Sequence, residues 1–148
     1  MKIQEKFTVD APADSVWEFL IDPERVAAAL PGAQITEKLD DNTYKGGMAV
    51  NVGPLAANYT GTVAFDLDEE QRAASVRARG QGKAGMGNAD MTMTSRVVEL
   101  GPAKTEVTVA ANLSVTGILA QLGRGMMQHV SKRMFKQFTE VLARELAP

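Results

Sequence analysis

The stretch from Ile118 to Leu146 constrains the fold more than any other part of this chain. Met127, Val130, Met134, Phe138, Val141 and Leu142 recur at three- and four-residue steps, so a helix would place them on one face. His129, Lys132, Arg133, Lys136 and Glu140 fall on the opposite face. No proline interrupts the run before Pro148. At about 1.5 Å per residue, one continuous helix here would be roughly 40 Å long. A helix of that length needs a broad apolar partner, and what precedes it reads as strands. The expectation is a curved sheet wrapped around the helix, with any ligand site between the two.

The strand reading rests on alternation. Ile3, Phe7 and Val9 alternate with Lys2, Gln4, Lys6 and Thr8 in a first strand. Ala11-Pro12-Ala13-Asp14 then opens a helix, with Pro12 in the first turn and Asp14 at its positive end. Val16, Trp17, Phe19, Leu20 and Ile21 make that helix apolar, and Trp17 reads as its core anchor. Asp22-Pro23 breaks it, and Glu24 to Leu30 forms a second short helix before Pro31-Gly32 stops it. Six strands follow, over 34–39, 43–52, 58–67, 73–82, 88–100 and 104–116. Asp40-Asp41-Asn42 and Gly101-Pro102-Ala103 supply hairpin turns between them. Consecutive strands joined by short turns predict an antiparallel meander. The predicted class is therefore α+β: a seven-stranded curved antiparallel sheet, two short helices after the first strand, and a long C-terminal helix, all in one domain over 1–148. Gly46, Ala74, Ala78, Gly80, Ala89 and Ala111 fall at inward positions, and small inward residues let a bent sheet enclose a cavity.

Composition removes several kinds of chemistry. With no cysteine there are no disulfides, thiolate metal sites or cysteine nucleophiles. The single histidine, His129, falls on the polar helix face, away from any triad or metal-ligand arrangement, so no metal and no catalytic group are expected. Asp68-Glu69-Glu70 lacks the spacing and glycine of a calcium loop and reads as a solvated turn. Residues 80–87 are glycine-rich, but no exposed helix N-terminus follows to cradle a phosphate. Residues 1–116 carry eleven Lys/Arg against sixteen Asp/Glu, and residues 117–148 carry five against two. A basic helix on an acidic body can attract an acidic partner or an anionic membrane surface. The absence of a basic stripe interleaved with aromatics argues against nucleic acid. The first residues, Met1-Lys2-Ile3-Gln4-Glu5-Lys6, hold no apolar signal core and no apolar run reaches membrane-spanning length, so a cytoplasmic location is expected.

Several phrases resemble one family. They are Phe7-Thr8-Val9-Asp10-Ala11-Pro12 followed by Val16-Trp17; Leu30-Pro31-Gly32-Ala33; Val52-Gly53-Pro54 followed by Tyr59-Thr60-Gly61-Thr62-Val63; and Gly117-Ile118-Leu119-Ala120-Gln121-Leu122-Gly123. Together they resemble the carbon monoxide dehydrogenase CoxG family, within the START-like, SRPBCC or Bet v 1-like helix-grip superfamily. The resemblance implies an accessory protein of a molybdenum-hydroxylase system rather than a redox component. It also implies quinone handling in the helix-grip cavity and recruitment of the enzyme to the inner face of the cytoplasmic membrane.

The residues suggest an apolar ligand in their own right. Met48, Met86, Met91, Met93, Met126, Met127 and Met134 are adaptable apolar side chains, and Tyr44 and Tyr59 each add one polar tip to an apolar ring. Alternation and helix phase select Met48, Val50, Tyr59, Met91, Met93, Leu113, Leu122, Met126 and Val130 as cavity-lining residues, with Leu30 and Pro31 at the entrance. The expected ligand is a non-covalently bound quinone or other apolar small molecule. Lys132, Arg133 and Lys136 are the expected contacts for an acidic hydroxylase or for peripheral membrane attachment. Two alternatives stand beside this reading: a docking module without a ligand, and a cyclase-like helix-grip enzyme.

Overall fold

The computed structural model describes residues 1–147; Pro148 lies outside the described residues. Alternation holds from the first strand. In β1, Lys2–Val9, the even positions are exposed while Ile3, Glu5, Phe7 and Val9 face inward. Helix α1, Ala13–Leu20, begins once Pro12 has taken an extended conformation, and it buries Ala13, Val16, Trp17 and Phe19. Helix α2, Pro23–Ala29, is capped by Asp22, whose side chain accepts hydrogen bonds from the backbone N–H groups of Glu24 at 3.1 Å and Arg25 at 3.3 Å.

The chain then turns into the sheet through Gly32. Its φ of +82° favours glycine, and a Cβ there would stand only 1.9 Å from the Ala49 carbonyl oxygen. Six strands follow: β2 Ala33–Lys38, β3 Thr43–Val52, β4 Leu55–Asp68, β5 Ala73–Gly82, β6 Asn88–Gly101 and β7 Lys104–Val115. All pairings are antiparallel and the spatial order is β1-β7-β6-β5-β4-β3-β2. This is the seven-stranded meander expected from the turn signals. The β3–β4 turn is tighter than the sequence suggested. Strand pairing runs through Val52 and Leu55, so Gly53-Pro54 is the whole turn and β4 starts at Leu55.

The C-terminal stretch differs from the single helix expected. Ile118–Leu122 is a short 3₁₀ turn, and α3 covers Arg124–Glu145. Gly123 separates them with φ +87° and ψ 161°, a conformation essentially confined to glycine. Helix α3 is therefore about 33 Å long. Its inward face is the one periodicity indicated: Val130, Phe138 and Leu142 are buried, while His129, Lys132, Arg133, Lys136 and Glu140 are exposed.

Two clusters of buried side chains lie at opposite ends of the sheet's inner face. At one end Val9, Val16, Trp17, Phe19, Val97, Val107, Phe138 and Leu142 pack together, drawing on α1, α3 and three strands. At the other end Val52, Ala57, Tyr59, Leu119 and Val130 form a smaller cluster. Between Met134, packed against the second cluster, and Phe138, in the first, α3 crosses from one to the other.

Candidate functional site

What lies between the clusters follows from strand register. One inner row runs Tyr44, Val63, Ala78, Met91, Leu113 across β3 to β7, and all five are half-buried. The next row runs Phe65, Val76, Met93, Ala111, Ile3 from β4 to β1. None of these ten residues belongs to either core cluster. Tyr44 and Phe65 meet edge to face at 5.9 Å, and Phe135 of α3 covers Phe7 of β1 at 5.4 Å. Among the strands, α3 makes its main contacts with β1 and β3. The middle of the sheet is thus an apolar band beneath the helix, buried at Val76 and Ala111 and half-buried elsewhere.

A row of glycines borders this band. Gly46, Gly61 and Gly80 stand abreast on β3, β4 and β5. A Cβ on Gly61 would lie 1.7 Å from the Arg79 carbonyl oxygen, and one on Gly46 would lie 2.4 Å from that of Gln34. Strands approach too closely here for any side chain, which is what a sharp bend in a sheet requires. The row leaves a strip of bare backbone about 10 Å wide at normal strand spacing.

On the far side of the glycines sits Tyr59, paired with Met48 on one flank and Gly82 on the other. Tyr59 is 7% exposed, and its hydroxyl has no hydrogen-bond partner among the described residues. Burial pushes the phenol above its ordinary value. A buried hydroxyl left unpaired costs about 1–3 kcal/mol. The other cluster handles its polar atom differently: Thr105 is fully buried and donates its hydroxyl to the Ala11 carbonyl at 2.7 Å.

The residues expected to line a cavity separate into groups. Met91, Met93 and Leu113 lie in the band, and Met48 and Tyr59 stand just across the glycine row. Val50, Leu122 and Val130 pack in the smaller core cluster. Met126 is 37% exposed, at the outer end beside Gly53. Leu30 packs against the larger cluster and Pro31 is exposed at the corner between α2 and β2. Lys132, Arg133 and Lys136 are exposed, and Arg133 donates to the Asn51 carbonyl at 3.0 Å.

Sequence reasoning passed over Gly61, whose role appears only once register sets it beside Gly46 and Gly80. It also passed over Glu5. One row beyond the band, Leu67, Ala74, Ser95, Val109 and Glu5 align, and of all the residues in these three rows only Glu5 is charged. The signal was the odd position of Glu5 in an alternating strand.

Two grooves of about 550 Å³ each lie on the outer face of the sheet, and α3 lines neither. The first is walled by outward residues such as Lys2, Asn112, Thr92, Arg77 and Ala64, with the intervening Ile3, Phe65, Val76, Met93 and Ala111 also lining it. The second is walled by Gln4, Lys6, Thr94, Arg96, Thr108 and Ala110. Among the described residues, no group of three or more acidic or histidine side chains is placed to hold a metal ion, and no helix is long and apolar enough to cross a membrane.

The model of the carbon monoxide dehydrogenase CoxG family matches residues 6–147. The chain belongs to this family. A CoxG protein is an accessory component of its enzyme, and the fold is consistent with ligand binding. Among solved structures, a conserved protein from Geobacillus kaustophilus superposes with a TM-score of 0.89 at 18% identity, covering 99% of this chain and 95% of its own. The Zhui aromatase/cyclase from Streptomyces sp. R1128 superposes with a TM-score of 0.72 at 21% identity, covering 99% and 93%. A START superfamily protein from Mycobacterium smegmatis gives 0.66 at 14% identity, covering 98% and 96%. At these identities the likeness concerns the fold, which is the START-like helix-grip. No curated protein matches the sequence.

Proposed function

We propose that this CoxG protein is a non-catalytic accessory protein of a carbon monoxide dehydrogenase-like molybdenum hydroxylase. It carries an apolar molecule, a quinone or isoprenoid lipid, between sheet and α3. By doing so it helps couple the enzyme to the inner face of the cytoplasmic membrane. One observation supports this reading above the others: the apolar band from Tyr44 to Ile3 lies beneath α3 yet joins neither core cluster. Apolar area left half-buried inside a fold is free energy that a ligand can recover on binding, at about 25 cal/mol per Å².

The test is titration with a short-tail quinone such as decylubiquinone. Saturable binding by the wild type is expected. Ala78→Phe, which fills the centre of the band, should abolish it while circular dichroism shows an intact fold. Wild-type protein that does not bind, or a folded Ala78→Phe variant that binds equally well, would refute the reading.

The exposed row Lys132, Arg133 and Lys136 favours a second reading, a docking module without a ligand. Reversing all three to Glu should leave folding unchanged, because exposed ion pairs contribute at most about 1 kcal/mol. If this variant loses hydroxylase or anionic-vesicle association at low salt while the wild type binds no quinone, docking is the better account. The cyclase-like reading needs acid–base groups facing the ligand, and Glu5 is the one carboxylate in the rows beneath the helix.

A further inference from the structure

Tyr59 is a donor without an acceptor. Its ring is held along the sheet by two glycines. A Cβ at Gly82 would stand 3.0 Å from the ring's Cε1, and one at Gly80 would stand 3.3 Å from the Tyr59 Cβ. The ring runs past Gly82 toward the end of the sheet closed by the 3₁₀ turn, among Val52, Leu119, Val130 and Leu122. Phenylalanine would fill the same space without stranding a donor. The hydroxyl is therefore a standing loss to the empty fold.

We infer that Tyr59 is the hydrogen-bond donor of the binding site, and that the ligand carries an acceptor oxygen, such as a carbonyl, on an otherwise apolar molecule. The oxygen-bearing end lies at the Gly82 end of the Tyr59 ring, beside the smaller cluster, and the glycine strip behind it leaves bare backbone for the rest of the molecule. The apolar remainder runs over the band toward Met93 and Phe65. The inference rests on the carrier reading and adds to it the chemistry and orientation of the ligand. It also makes Tyr59 a specificity-determining residue, because an apolar molecule without the oxygen leaves the donor unmet.

Two probes separate the claims: decylubiquinone, and an alkylnaphthalene of similar size without oxygen. Tyr59→Phe should bind the quinone roughly tenfold more weakly, the scale of one neutral hydrogen bond. Its affinity for the hydrocarbon should not change. Without ligand, Tyr59→Phe should melt no lower than the wild type. Equal quinone affinity in the folded variant overturns the inference, as does an equal loss for both probes, which would mark a purely structural role. A ligand-free Tyr59→Phe that melts several degrees lower overturns it too, since the hydroxyl would then be satisfied in the empty fold. Wild-type protein that binds neither probe removes the carrier reading itself, a failure distinct from the others.

Discussion

The two ends of the inner face are built by opposite rules. At the α1 end, aromatic rings interlock: Phe19 meets Phe138 edge to face at 6.3 Å, and the Arg25 guanidinium lies 4.5 Å over the Phe19 ring. The buried polar atom there, the Thr105 hydroxyl, is paired. At the opposite end the packing around Val52 and Val130 is completed by Met86, Met127, Met134 and Leu122, flexible or half-buried residues. The buried polar atom there, the Tyr59 hydroxyl, is unpaired. Rigid, complementary packing stabilises one native state, whereas thioether side chains adapt to shape. One end is closed by interlocking rings and the other by side chains that adapt to shape.

Three perturbations test that contrast. The largest effect is expected at the rigid end. Phe138→Ala removes a buried ring from the interlock and should destabilise by about 3–5 kcal/mol in denaturant titration. Met134→Leu, on the same helix at the adaptable end, should cost under about 1.5 kcal/mol. Equal costs would dissolve the distinction.

A smaller effect is expected between the ends. Gly61→Val forces a side chain against the Arg79 carbonyl and should cost about 1–3 kcal/mol, because the strands must part to admit it. The same change at Gly101, where a Cβ meets nothing within 4 Å, should cost much less. If the two were equal, the bend would not depend on the glycine row.

The smallest effect is in pH dependence. Burial raises the Tyr59 phenol above its ordinary value near 10. The folded state therefore holds this proton more tightly than the unfolded chain. That contribution is fully present below pH about 10 and is lost as pH rises through the folded value. The wild type should lose more stability than Tyr59→Phe between about pH 9 and 11, read as the shift in denaturation midpoint. Identical profiles would mean that the phenol is solvated.

The fold was readable in the sequence because each element carried its own period. The alternation of β1 and the spacing of Val130, Phe138 and Leu142 are local signals that tertiary packing confirmed. What escaped was either a backbone break or a relation between strands. Gly123 sits inside an unbroken apolar rhythm, so its interruption of the helix shows only in its dihedral angles. Gly46 and Gly80 were visible as small inward residues, but the strip exists because pairing sets Gly61 between them. Glu5 was missed because the apolar members of its strand were counted first. The chemistry of the site was less readable still. Tyr59 was chosen for its amphipathic ring, and only the three-dimensional neighbourhood shows that its hydroxyl goes unmet.

The sheet order also governs when this protein can come into being. β1 pairs with β7, Lys2 against Asn112 and Val9 against Thr105, so the first strand made finds its partner only after most of the chain exists. Bringing such distant segments together costs loop-closure entropy before any contact is gained. During synthesis the β2–β7 meander can assemble stepwise from hairpins, while Ile3, Phe7 and Val9 wait without a neighbour. Helix α3 emerges later still, and it forms the roof over the band. Until α3 has been made the concave face is open on that side, so the space between sheet and helix is enclosed only after the meander that floors it exists.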